Sequence, residues 1–165
     1  MNTTILYSEK QKFKQWWIWL IVVFINVLYI YAIYRQILLG EPFGNNPMSN
    51  QWLLVFAIVP ILLFILFLIS KLETQIKPDG IYIRFFPFHL KYRVFLWQDI
   101  SRTYIRKYSA LLEYGGWGIR YGLFGKGMCY NVSGNMGLQI EFKNNKKILI
   151  GTRYPEEINK VLPNQ

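Results

Sequence analysis

Apolar residues are distributed along the chain in two different ways. From Trp16 to Tyr34 they run together, and nineteen consecutive residues carry no charge. A second uncharged window extends from Phe43 to Ser70, and its part from Trp52 to Ile69 is almost unbroken. A helix rises about 1.5 Å per residue and a bilayer's hydrocarbon core is roughly 30 Å thick, so about twenty such residues suffice to cross it. The pattern predicts a transmembrane hairpin over residues 16–70, with helices at about 16–39 and 51–70 and an external loop at 40–50. The first window is too long for a signal sequence, and the bulky "IYRQILLGEPFG" after it has no small-residue cleavage site. Inside the windows, Asn26 is expected to bond across to the other helix and Pro60 to bend its own.

After residue 70 the spacing changes to short runs separated by turn signals. "KLETQIK" precedes Pro78-Asp79-Gly80, and "IYIRFF" and "KYRVFLW" alternate as strands with one wet face do. "SRTYIRKY", "GIRYG", "GMCYNV", "GLQIEFK" and "KKILIGT" follow, the last two joined by a turn at Asn144-Asn145. The period then becomes helical. Pro155 suits a first turn, Glu156 and Glu157 suit the positive end of a helix dipole, and Ile158, Val161 and Leu162 form one stripe. Seven or eight strands and a terminal helix predict a small antiparallel barrel or curved sandwich capped by that helix. The expected class is an α+β membrane protein.

Charge orients this arrangement. Net charge is +10, and residues 71–165 alone carry fifteen basic and seven acidic side chains. Lys10, Lys12 and Lys14 precede the first window, Lys71 and Lys77 follow the second, and the loop between holds only Glu41. The positive-inside tendency places both termini in the cytoplasm, residues 1–15 as a basic N-terminus and 71–165 as a domain at the inner or plasma membrane. Trp16, Trp17 and Trp19 are expected at the inner interface and Trp52 at the outer one.

Candidate chemistry is sparse. "YGGWGIRYG" (114–122) resembles a phosphate loop only in glycine content: its spacing is G-x-G-x-x-x-G with no helical pattern after it, and Gly125-Lys126 lacks the other elements of a P-loop. Gly115, Gly116, Trp117 and Gly118 read instead as a structural corner where a ring lies over bare backbone. One histidine, His89, excludes metal motifs that need two, and one cysteine, Cys129, excludes an intrachain disulfide. Asp99 in "WQDI" is expected to make a structural hydrogen bond. No catalytic, cofactor-binding or metal-binding residue is assigned, and no enzyme is expected.

The runs "EYGGWGIRYG", "YNVSGNMGLQIEF" and "KKILIGTRYPEEINKVL", with "FPF" at 86–88 and "WQDI" at 97–100, resemble bacterial membrane proteins of unknown function. In that family a two-helix membrane hairpin is followed by a PH-like domain. The resemblance implies a PH-like fold and carries over no ligand site. The expected function is a membrane-anchored, non-enzymatic PH-like module that docks a protein partner. The alternative is binding of anionic lipid headgroups through Arg102, Arg106, Lys107, Lys146 and Lys147, each basic residue near such a surface contributing about 1 kcal/mol. Nucleic acid is not an expected partner.

Overall fold

The computed structural model describes residues 4–122 and 125–163. Residues 1–3, 123–124 and 164–165, which belong to the expected N-terminal segment and cytoplasmic domain, lie outside the described residues. The chain divides into a helical unit, Lys14–Ile69, and a sheet unit built from the N-terminal segment up to Phe13 together with the chain from Ser70 onward.

In the helical unit, α1 (Trp16–Ile33) continues as a π-helical turn, Tyr34–Leu38, and α2 (Asn50–Ile69) returns beside it. Both are long and apolar enough to span a membrane. Most of their large side chains face outward, as lipid-facing positions would, while Ala32, Leu53 and Ala57 are buried. Asn26 Nδ2 donates to Val22 O at 2.8 Å and across the pair to Pro60 O at 3.2 Å. Trp19 stands edge-on to Phe64, with ring centroids 5.8 Å apart.

The sheet unit holds nine strands among the described residues, in two sheets. The first has the order β1 (Tyr7–Lys12), β2 (Lys71–Lys77), β3 (Gly80–Phe86), β4 (Arg93–Leu96), all antiparallel. The second comprises β5 (Ile100–Lys107), β6 (Gly118–Tyr121), β7 (Met128–Asn131), β8 (Met136–Phe142) and β9 (Lys147–Thr152), in the order β5-β8-β9-β7-β6. Of the expected antiparallel barrel or curved sandwich, the barrel is not closed and the strands are not all antiparallel. No described ladder joins the two sheets, and β7 runs parallel to β9. The eight expected strands all form; the ninth, β1, lies in the segment expected to be only a basic N-terminus.

Register explains the core. Leu72 faces Phe85, Thr74 faces Ile83 and Ile76 faces Ile81, so every second residue of β2 and β3 is buried on one side. Leu138, Ile140, Tyr130 and Ile150 are buried in the second sheet. The final helix α4 (Pro155–Val161) packs against β1, β5 and β8, strands of both sheets, and buries Ile158 completely.

The first strand is tied to this core by polar groups. Its inward residues are Tyr7, Glu9 and Gln11, in register with Ile76, Thr74 and Leu72. Glu9 is 5% exposed and accepts from Tyr7 Oη at 2.7 Å, Thr152 Oγ1 at 2.7 Å and the Arg153 N–H at 3.0 Å. Gln11 Nε2 donates to Gly151 O at 2.7 Å. These bonds connect the first sheet's edge to the end of β9 in the second. Burial and then the bond to Glu9 push the Tyr7 hydroxyl well above its ordinary range, so it stays a donor. A buried donor without its acceptor incurs its full desolvation cost. Glu9→Ala should thus lower the unfolding free energy of the sheet unit by roughly 3 kcal/mol. Ser8→Ala, on the exposed face of the same strand, should leave it within experimental error. Urea melts of the full chain in detergent check both.

Candidate functional site

A groove of about 800 Å³ opens between the two sheets' edges. One wall is β4, contributing Arg93, Val94 and Phe95; the opposite wall is the end of β6 and the glycine-rich segment after it, with Tyr121, Gly122 and Gly127. The β8–β9 hairpin, residues 143–147, forms its rim. β4 is an edge strand, pairing only with β3, and β6, of which Tyr121 alone lines the groove, pairs only with β7 among the described residues. Each therefore offers one unpaired row of backbone donors and acceptors.

Local chemistry shapes these walls. Asn145 takes the left-handed conformation, φ 62°, and lets the hairpin turn tightly, as Asn can. Gly127 has φ 78°, and a Cβ there would stand 2.0 Å from Lys147 O. No side chain fits, because the parallel start of β7 lies directly against β9. The Gly122 N–H donates to Gly127 O at 2.7 Å, closing the base of the segment between β6 and β7.

The groove is electropositive. Arg93, Lys143, Lys146 and Lys147 line it, against one acid, Asp99. Lys147 Nζ lies 3.2 Å from Glu141 Oε1, a half-exposed pair, and Arg93 Nη1 donates to Tyr130 Oη at 2.8 Å. Lys143 and Lys146 have no ionic partner among the described residues and are exposed. Asp99 uses its backbone carbonyl to accept from the Lys143 N–H at 3.0 Å.

The five basic residues singled out from sequence do not share one surface. Arg102 is exposed, its guanidinium 4.8 Å from the Tyr104 ring, and neighbours Glu141 and Lys147 across three strands. Lys146 and Lys147 sit on the groove's rim. Lys107 lies at the opposite end of β5, beside a smaller cavity of about 350 Å³ lined by Tyr108 and Trp117. Arg106 is drawn inward: it donates from Nη1 to Glu113 at 2.9 Å, from Nη2 to Tyr114 Oη at 2.9 Å and from Nε to Gln139 Oε1 at 2.9 Å.

Glu113 belongs to α3 (Ala110–Tyr114), a single turn within a stretch whose period shows no helix. Ser109 Oγ accepts from the Leu112 N–H at 3.2 Å, and Glu113 Oε1 accepts from the Ser109 N–H at 2.9 Å, a reciprocal cap. Gly115, left-handed at φ 68°, ends the turn by donating to Leu111 O at 2.9 Å. Gly116 and Gly118 also have positive φ, and between them Trp117 packs on a buried cluster of Tyr108, Ala110, Tyr114, Cys129 and Leu149. The glycine segment 114–122 thus caps a helix and seats a ring.

Groups with candidate reactivity are separated. Cys129 is fully buried on that cluster, and burial pushes its thiol well above the ordinary range. His89 rests on Tyr130, ring centroids 5.6 Å apart, and adjacent residues of β7 point to opposite faces. Burial, then Arg93, lowers the His89 pKa, which favours the neutral ring. Among the described residues no group of three His, Cys, Asp or Glu is placed to hold a metal ion. Comparison of the chain with protein-family models, curated proteins and solved structures gives no match.

Partial burial alone would raise the Glu113 pKa. The bonds from Lys126, Ser109 and Arg106 outweigh it and bring the carboxyl down to about 2, from an ordinary 4.5. A depressed folded-state pKa gives stability that is complete above the unfolded value and lost as pH falls through the folded one. Glu113 should therefore contribute about 1–2 kcal/mol above pH 5, allowing for solvent screening, and lose it between about pH 4.5 and 2. Glu113→Gln should remove this portion of the acid transition and leave the alkaline limb unchanged, as measured by melts across pH.

Proposed function

We propose that the chain is a membrane-anchored, non-catalytic, PH-like module whose groove holds an extended, acidic segment of a partner protein. The observation that supports this reading is the coincidence of two unpaired strand edges with four cations and one acid around one cleft. An extended peptide laid along β4 or β6 would complete a ladder, which supplies affinity, while Lys143 and Lys146 select for negative side chains. The two apolar helices support the anchoring. Two sheets with a terminal helix packed over strands of both are compatible with a PH-like domain. Lipid recognition by the five basic residues as a set is less favoured, because Arg106 is engaged by Glu113 and Lys107 stands at the far end of β5 from Lys146 and Lys147.

The probe for this reading is a fluorescein-labelled peptide of alternating Glu and Val, titrated against the full chain in detergent. Binding should weaken with salt and drop about tenfold or more in Lys143→Glu/Lys146→Glu, given roughly 0.5–1 kcal/mol per exposed charge pair and the repulsion that reversal adds. Unchanged binding by the double variant, or equal binding of a Lys-Val peptide, overturns the reading.

A further inference from the structure

We infer that the turn between β3 and β4, residues 87–92, is a second membrane contact that enters the headgroup region of the bilayer through Phe88 and Leu90. This rests on the anchoring part of the preceding proposal and is independent of the groove's occupant.

The first observation is register. Lys12 at the end of β1 pairs with Lys71 at the start of β2, and Lys71 pairs with Phe86 at the end of β3. These three residues stand side by side at one end of the first sheet. The chain departs from this end through residues 13–15 into α1 and re-enters it from α2 through Ser70 alone. A residue spans at most about 3.5 Å. A bilayer crossed by both helices thus begins within roughly 10 Å of chain from this end of the sheet, whatever the angle between them. The turn after Phe86 starts at the same end.

The second observation is what that turn displays. Phe88 is 60% exposed and Leu90 is 73% exposed, although both belong to a turn closed by the His89 N–H on Phe85 O at 2.8 Å. Phe88 leans on buried Phe85, ring centroids 6.0 Å apart, and Phe85 lies 6.5 Å from Phe13, the residue at which the sheet unit gives way to the helical one. Lys91, in the turn itself, is exposed and without an ionic partner among the described residues, and Lys12, also exposed, ends β1 at the same end of the sheet. Apolar tips beside a lysine match a bilayer interface, where the apolar groups leave water and the amine meets anionic headgroups. The occupant is therefore a lipid surface carrying negative charge.

The test uses the full chain, one copy per nanodisc, in phosphatidylcholine with a minority of phosphatidylglycerol. A nitroxide is attached at Leu90→Cys and, for comparison, at Leu112→Cys, which is 82% exposed on α3. Native Cys129 is fully buried and stays unlabelled. The label at 90 should collide with oxygen, which concentrates in the bilayer, severalfold more than with a water-soluble nickel chelate, relative to the label at 112. Adding Lys91→Gln should reduce the bilayer-facing population about fivefold in these discs, the fold-change of one basic residue near an anionic surface. In phosphatidylcholine alone it should have no effect. Equal water access at both labels overturns the inference, and so does protection of position 90 from both reagents, which would mark a protein contact. Extraction of the chain from membranes by alkaline carbonate would instead defeat the anchoring itself.

Discussion

The sheet unit depends on one buried carboxylate. Among the described residues Glu9 has no cation at hand: the Arg153 guanidinium is directed to Ser133 and to Lys12 O, and the donors that reach the Glu9 oxygens are neutral. A buried charge is tolerated only when its oxygens are satisfied, and here two hydroxyls and a backbone N–H satisfy them. The partners come from both ends of the chain. Tyr7 is two residues before Glu9, whereas Thr152 ends the last strand and Arg153 follows it. The clasp thus joins residues that precede the apolar helices to residues at the end of the last strand. Its geometry requires the first strand to sit on β2 with Tyr7, Glu9 and Gln11 inward. That register in turn sets Lys12 beside Lys71, where the chain leaves the sheet and returns to it.

This arrangement explains which parts of the fold could be read from residue order. Where inward positions are apolar, as Ile81, Ile83 and Phe85 are in β3, alternation reveals the strand. In "YSEKQK" the inward positions are Tyr, Glu and Gln, and the outward ones Ser, Lys and Lys. Hydropathy does not alternate there, so the segment reads as a charged tail. The single turn of α3 is hidden for a related reason: five residues are too few for a period, and only the pairing of Ser109 with Glu113 signals it. Closure was legible least of all. Strand count suggests a barrel, but whether the first and second sheets share a ladder depends on long-range pairing that no local pattern encodes.

The candidate site was half legible for an electrostatic reason. Counting cations identifies a basic domain, but it does not say which cations are already engaged. Glu73 is met by Lys71 and Arg84, with Tyr92 adding a hydroxyl at 3.1 Å. Glu113 is met by Arg106 and Lys126 at 2.9 Å each. Both carboxyls are held below their ordinary pKa despite partial burial, and in each case the cations bring the value down. Those pairings join neighbouring strands or a strand and a turn, so they act as structural ties.

Acids engaged in this way leave an uneven surface. The described part of the domain has its ionic ties on the outer face of β2 and β3 and beneath α3, away from the β8–β9 hairpin. At the hairpin a single acid, Glu141, faces Lys147, while Lys143 and Lys146 project unpaired beside Arg93. Among the described residues, cations without an ionic partner therefore stand beside the edge of β4. A solvated basic surface would spread its cations over strand faces. Here an open strand edge and cations without ionic partners meet at one cleft, and the proposed docking rests on that combination.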